Sequence, residues 1–404
     1  MILKKNTFIF LILIYLSLIV GFFTGEDVIG GAINDYKGHS HIAERFNENF
    51  LFTLFNYNEL GHRHSPIFYM LKSITLYFGE IGQKVFFLHL FLLIPIYFYK
   101  CLKIRFNDVS KNYLKLLAAI ILLFPTFRAY AIWPDPHLLG VLFFIISIFY
   151  YLKMKKNLKP FQNSLLNTFF LSLAAYTSPN FGFFVIFFFL EFFKKFNFSK
   201  EILLISLLNV ILATPFFYYL FYLDVNFIFN DDSWDIGDNF YSLNNISNKI
   251  IIIISLFLFY LFPLILTRLI NIKYKFTKFS IKIIFTIILY FFIIYFFNFS
   301  TSYELTNSGG GFFYNLSNFL FHNNYLLFFI SFFIYLYLIK IFIFNSSNLI
   351  LFLCLIFSNP QVTLWQANFS PTIFFLILLL FKGIIDKNHL DFKTLIISYS
   401  YFFI

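Results

Sequence analysis

The residues able to do chemistry in this chain crowd into one stretch. The 42 residues from Thr24 to Ser65 carry Glu26, Asp27, Asp35, Glu44, Glu48 and Glu59 beside Lys37, Arg45 and Arg63 and four histidines, His39, His41, His62 and His64. A carboxylate within hydrogen-bond reach of a hydroxyl can take its proton as it attacks. Guanidinium, ammonium and imidazolium groups bind phosphate. The mixture therefore fits transfer to a hydroxyl from a phosphate-bearing donor, and a connection this long is uncommon unless it has a function. Asp35 to Phe46 has helical spacing, which puts Asp35 and His39 on one face. The pairs His39/His41 and His62/His64 would each share a face on an extended strand. They lack the H-x-x-x-H spacing of a zinc helix, so no metal and no cofactor is expected.

A second polar stretch, FRAYAIWPDPHLLG, holds Arg128, Trp133, Asp135 and His137. Asp135 followed by Pro136 and an apolar run reads as an N-cap with proline in the first helical position. Arg128 stands at the edge of an apolar run, where a cation is well placed for a lipid phosphate. Later stretches carry less. NDDSWDIGDN reads as a solvated acidic face, TSYELTNSGGGFF offers three glycines that let backbone N–H groups approach a phosphate, and NPQVTLWQANFSP brings Gln361 and Gln366. Trp133, Trp234 and Trp365 all fall in such stretches, as an interfacial aromatic belt or as platforms for a sugar.

Apolar runs must position these groups. They lie at Phe8 to Phe23, Val85 to Tyr99, Tyr113 to Phe127, His137 to Leu152, Leu165 to Tyr176, Phe181 to Phe193, Ile202 to Tyr222, Ile250 to Thr267, Ile281 to Phe297, Tyr325 to Phe344, Leu349 to Phe357 and Thr372 to Phe381. Each approaches the length that crosses hydrocarbon, about 17 to 25 residues once interfacial residues are counted. With Lys4 and Lys5 inside, 23 of the 30 Lys and Arg fall in cytoplasmic segments and 14 of the 19 acids fall outside. That is the positive-inside pattern for twelve spans. Pro66 to Phe78, with Lys72 at its middle, is too short to span and reads as a juxtamembrane helix. The expected fold is all-α: a polytopic integral membrane protein of about 12 spans, with a juxtamembrane helical first external loop (24–65). Residues 1–404 form one membrane domain, with a core at 1–222 and further helices at 223–404. The net charge of +11 reflects topology and anionic lipid, not nucleic acid. Cys101 and Cys354 offer no disulfide and no ligand spacing. The 69 Phe read as lipid-facing filler in a protein from an AT-rich bacterial genome. Span interiors hold few polar groups beyond Asn209, His89 and Arg128, which argues against a proton-coupled pump. His89 reads as a hydrogen-bonded helix residue.

The single span, the long loop with an early carboxylate, the segment HSPIFYML and a span ending in R-x-Y-A-I-W-P-D-P-H together resemble the GT-C superfamily of polytopic glycosyltransferases. HSPIFYML is similar to a segment of the bacterial aminoarabinose transferases and protein mannosyltransferases. NDYKGHSHIAERF, with PQVTLWQANFSP, looks like the dolichol-linked-oligosaccharide glucosyltransferases. The likeness covers the first 150 residues. It implies an inverting transfer from a polyprenyl-phosphate-linked sugar to a glycan, lipid or protein acceptor on the outer side of a bacterial inner membrane. It also implies a base at Asp35, a second-loop acid at Asp135, and donor-phosphate binding by Arg63, His64 and Arg128 with Lys37 beside them. Trp133, His137, Gln361 and Gln366 then face sugar or acceptor. Where the family commonly has Asp-Glu, N-D-Y stands at Asp35 and Glu26-Asp27 offers a reversed pair, so Asp27 is the alternative base. Two other classes share the hydropathy profile: a transporter or flippase of lipid-linked glycans, which needs polar span interiors, and a polymerase or ligase of lipid-linked oligosaccharides, which places its Arg and His in late loops.

Overall fold

The computed structural model describes residues 2–60, 64–225, 243–269, 281–299, 309–343, 345–359 and 364–403, and among these there is no strand. The chain divides into two compact units, Met1–Ser233 and Trp234–Ile404. The first contains α1 (Ile2–Thr24), α2 (Ala32–Glu48), α3 (Phe50–Phe55), α4 (Ile67–Thr75), α5 (Gly79–Phe91), α6 (Leu93–Arg105), α7 (Lys111–Ala119), α8 (Pro125–Ile132), α9 (Pro136–Lys155), α10 (Pro160–Ala175), α11 (Phe184–Phe196) and α12 (Lys200–Phe221). The second contains α13 (Leu243–Leu269), α14 (Ile281–Tyr295), α15 (Phe312–Phe321), α16 (Tyr325–Ile343), α17 (Ser346–Ser358), α18 (Thr372–Phe375), which continues as a π turn to Leu380, and α19 (Phe392–Phe403).

Each unit is built round a helix that is apolar on every side. In the first it is α9, against which α6 and α10 pack, and nearly all its side chains from Pro136 to Ile148 are buried. In the second it is α13, against which α14 to α19 pack. Such a helix must be buried or stand in lipid. α1 and α12, equally apolar, leave Leu13, Val20, Leu203, Val210 and Phe221 exposed, as suits hydrocarbon.

Five helical stretches among the described residues are long and apolar enough to cross a membrane: Thr7–Thr24, Ile67–Arg105, Pro136–Lys155, Lys200–Phe221 and Ile246–Leu266. The run at Tyr113 to Phe127, expected as a span, contains a sharp bend. Lys111–Leu123 and Pro125–Ile132 meet at 68°. The cause is local: Pro125 has no N–H to give and its ring keeps Phe124 extended (φ −66°, ψ 129°), so one helix ends and α8 begins with proline in its first turn. The run Pro66 to Phe78, expected as a juxtamembrane helix, forms α4. It buries Phe68, Tyr69, Lys72 and Ser73 and packs against α2, and a turn at Leu76–Phe78 and Gly79 (φ +68°) precedes α5. His89 is hydrogen-bonded as expected, 3.0 Å from the Tyr15 hydroxyl.

At the other end of α9 and α11, Glu191 is buried and accepts from the Tyr151 hydroxyl (2.9 Å), Lys155 (2.5 Å) and Lys194 (3.0 Å). Glu191→Ala is expected to destabilise the first unit by about 1–3 kcal/mol, because it orphans the buried Tyr151 hydroxyl. Adding Tyr151→Phe should recover part of the lost melting temperature. No recovery would mean that the carboxylate acts only through its lysines.

Candidate functional site

Two loops meet at one end of α9. Asp135 caps that helix, its Oδ1 accepting from His137 N at 2.7 Å, while Oδ2 lies 3.2 Å from His39 Nε2. A carboxylate only accepts, so the imidazole donates to it. The other ring nitrogen, Nδ1, is 3.0 Å from the Tyr69 hydroxyl. All three side chains are buried. One acid thus pins α2 and α4 to the head of α9, and the His64 ring stands edge-on 5.5 Å from His39.

Against the face of α2 beside this chain lies a buried lysine from α4. Lys72 is fully buried, donates to the Tyr36 carbonyl at 3.0 Å and sits 3.9 Å from the Tyr36 ring centre. The Tyr36 hydroxyl donates to Gln83 Oε1 (3.0 Å), and Gln83 in turn donates to the Lys72 carbonyl (2.9 Å). Burial, with the nearby Glu80 charge, pushes the Tyr36 phenol up to about 12, so it remains a donor at any working pH. Burial likewise holds the Tyr57 phenol well above its usual range, and its hydroxyl donates to the His64 carbonyl at 2.6 Å.

Arg128 is enclosed. Its Nε and Nη2 grip the Glu26 carboxylate at 2.6 and 2.5 Å, and Nη1 and Nη2 also donate to Ser17 Oγ and O at 3.2 and 3.0 Å. Gly21 makes this possible, since a Cβ there would collide with the carboxylate and come within 2.9 Å of Nη2. The guanidinium that was expected to be open to a lipid phosphate is therefore a clamp between α8, α1 and the start of the first loop. Trp133 has a similar part: its indole N–H donates to the Glu26 carbonyl at 3.1 Å, and Lys84 covers its ring at 3.8 Å. One face of the expected sugar platform is thus taken.

Asp35 and His39 do not share an environment. A step of four residues turns a helix about 40° past a full turn, enough at the edge of this face to leave Asp35 exposed while His39 is buried. His39 and His41, two apart, lie on opposite sides of α2. His41 is exposed, 3.9 Å from Glu44. Asp27 accepts from the backbone N–H groups of Gly30, Gly31, Ala32 and Ile33, at 3.0 to 3.3 Å, and so builds the turn that starts α2. Lys37 is exposed, and His137 is buried and stacked on Phe181 at 5.8 Å. Gln366 belongs to the second unit, where its side-chain oxygen accepts from Phe312 N at 3.0 Å. Arg63 and Gln361 lie outside the described residues. Among the described residues no group of three or more His, Cys, Asp or Glu could hold a metal.

Beside this polar cluster lies a cavity of about 310 Å³, between α10, α11 and α12. Its walls include Leu171, Ala175, Val185, Leu212, Ala213 and Phe216, and Ser65, the residue after His64, stands at its edge. Reasoning from sequence missed Tyr36, Tyr69 and Gln83, and missed Glu26 as the partner of Arg128. Lys72 did give a signal, as a charge at the middle of an apolar run. Compared with known proteins, the chain matches no family model, no curated protein and no solved structure at a significant level.

Proposed function

We propose that this chain is a membrane glycosyltransferase of the GT-C type, moving a sugar from a polyprenyl-phosphate-linked donor to an acceptor hydroxyl with inversion. In this reading about twelve spans cross a bacterial inner membrane, the N-terminus is cytoplasmic, and the site faces outside. The acceptor is a glycan, a lipid or a protein, and no cofactor takes part.

The observation that carries the reading is the pairing of two unlike environments. A cluster of carboxylates, imidazoles and aromatic rings from two loops adjoins, through His64 and Ser65, an apolar cavity among helices suited to a bilayer. A substrate with a polar head and a hydrocarbon tail matches both parts. Asp35 is the base in this scheme: it is an exposed acid in the first turn of α2, at the end of the first loop, and Asp27 builds the turn before it. It removes the acceptor proton as the oxygen attacks the anomeric carbon, and the polyprenyl phosphate leaves from the opposite side with both electrons of its C–O bond. The charge that develops on that phosphate is met by His64 and Lys37, with Arg63 next to His64 in sequence.

The test is transfer in proteoliposomes from polyprenyl-phosphate-linked mannose, glucose and aminoarabinose. Ala213→Trp, which fills the cavity, is expected to raise the KM for the lipid-linked donor about tenfold, a loss of roughly 1.4 kcal/mol, with little change in kcat. Transfer from a soluble nucleotide sugar, or an unchanged donor KM, would overturn the reading.

A further inference from the structure

A second place where charge meets aromatic surface lies on α6 and α9, which pack together in the first unit. Lys100 and Lys153 come from different helices and converge on one ring. Lys153 Nζ is 5.0 Å and Lys100 Nζ 6.0 Å from the centre of Phe149. Lys100 also lies 4.2 Å from the Tyr97 ring, and Lys153 lies 5.8 Å from Tyr150. Among the described residues no carboxylate comes within salt-bridge distance of either lysine, whereas their neighbours Lys155 and Lys194 both bind Glu191. Two like charges held over one ring repel, and an anion shared between them would offset that repulsion.

The surface leading away from the two ammonium groups is aromatic. Tyr97 meets Phe149 edge-on at 5.6 Å, Tyr150 stacks on Phe170 at 5.6 Å, and Phe143 lies 6.4 Å from Phe170 further along α9 and α10. Tyr97, Phe143, Phe149, Tyr150 and Phe170 are all partly exposed.

We propose that Lys100 and Lys153 bind the phosphate of an anionic phospholipid, whose acyl chains lie along Tyr150, Phe170 and Phe143. The source is the bilayer and not the aqueous phase. Both lysines stand near the ends of apolar helices, where long cationic side chains reach for headgroups while their stems stay in hydrocarbon. Both rest on rings of the kind that anchor a helix at that depth. The bound lipid holds α6 to α9 at the end opposite Asp135, and this role does not depend on the chemistry at the loops.

The full chain in detergent is titrated with phosphatidylglycerol and with phosphatidylcholine, following melting temperature and the lipid retained in native mass spectrometry. Phosphatidylglycerol is expected to raise the melting temperature and stay bound, and phosphatidylcholine is not. Lys100→Gln and Lys153→Gln should each weaken phosphatidylglycerol about fivefold, the effect of one lysine near an anionic surface. Lys156→Gln with Lys159→Gln, two exposed lysines on the same loop, should leave binding within twofold. Unchanged binding in the Lys100→Gln/Lys153→Gln protein would overturn the site, and equal weakening by the Lys156/Lys159 pair would reduce it to diffuse surface charge. An equal shift on adding inorganic phosphate alone would overturn the lipid source.

Discussion

Asp35→Asn is expected to lower sugar transfer by roughly 10² to 10⁴, the usual contribution of a positioned base, while leaving the melting temperature at the parent value. The two halves of this expectation have separate causes. Asp35 is exposed in the first turn of α2, so the amide replaces the acid without disturbing packing. The amide cannot accept the hydroxyl proton, so the rate falls. Asp27→Ala is expected to do the reverse: it removes the acceptor for four backbone N–H groups and should cost about 1–2 kcal/mol, as the loss of a helix cap does, with turnover per folded molecule retained. Turnover with the lipid-linked donor, normalised to folded protein, separates the two. If Asp35→Asn transfers sugar normally and Asp27→Ala does not, the base is Asp27 and the turn depends on its backbone alone.

Glu26→Ala and Arg128→Ala are each expected to cost about 2 kcal/mol, somewhat below the figure for a fully buried pair because the side chains keep 20 % and 14 % of their exposure. The double variant should cost less than the sum, since the second change removes a group already unpaired. Arg128→Lys should not restore stability, because an ammonium cannot fork onto both carboxylate oxygens and reach Ser17 as well. Gly21→Ala should approach the same loss, the new methyl group displacing the Glu26 carboxylate. The same variants test whether Arg128 serves the donor. Were its guanidinium needed for the donor phosphate, Glu26→Ala would release it and lower the donor KM. An unchanged KM with lowered stability leaves the clamp as its whole role. An Arg128→Lys protein as stable as the parent would sink the clamp.

The parts of this architecture legible in advance are those that depend on near neighbours. Apolar runs without alternating polarity are helices. Asp135 before Pro136 caps a helix, and the 13-residue run with Lys72 at its middle forms a short helix of its own. The break after Phe124 was equally local, since Pro125 announces it, but the apolar run through Tyr113 to Phe127 masks it when only hydropathy is weighed. What could not be read is partnership. The Glu26–Arg128 pair joins residues 102 apart, and His39 to Asp135 joins residues 96 apart.

The sequence by itself determined the helices, their apolar faces and the exclusion of most charges from the apolar runs, because these follow from helical periodicity, proline geometry and the cost of charge in hydrocarbon. Only the tertiary structure decided which of those groups are spent on one another. Packing α2 and α4 against the head of α9 takes His39, Tyr69, Lys72 and Asp135 out of water together, and a polar group so removed must take whatever partner the fold sets beside it. Arg128 became a clamp for that reason, and Asp35 stands on the exposed side of the same helix that buries His39.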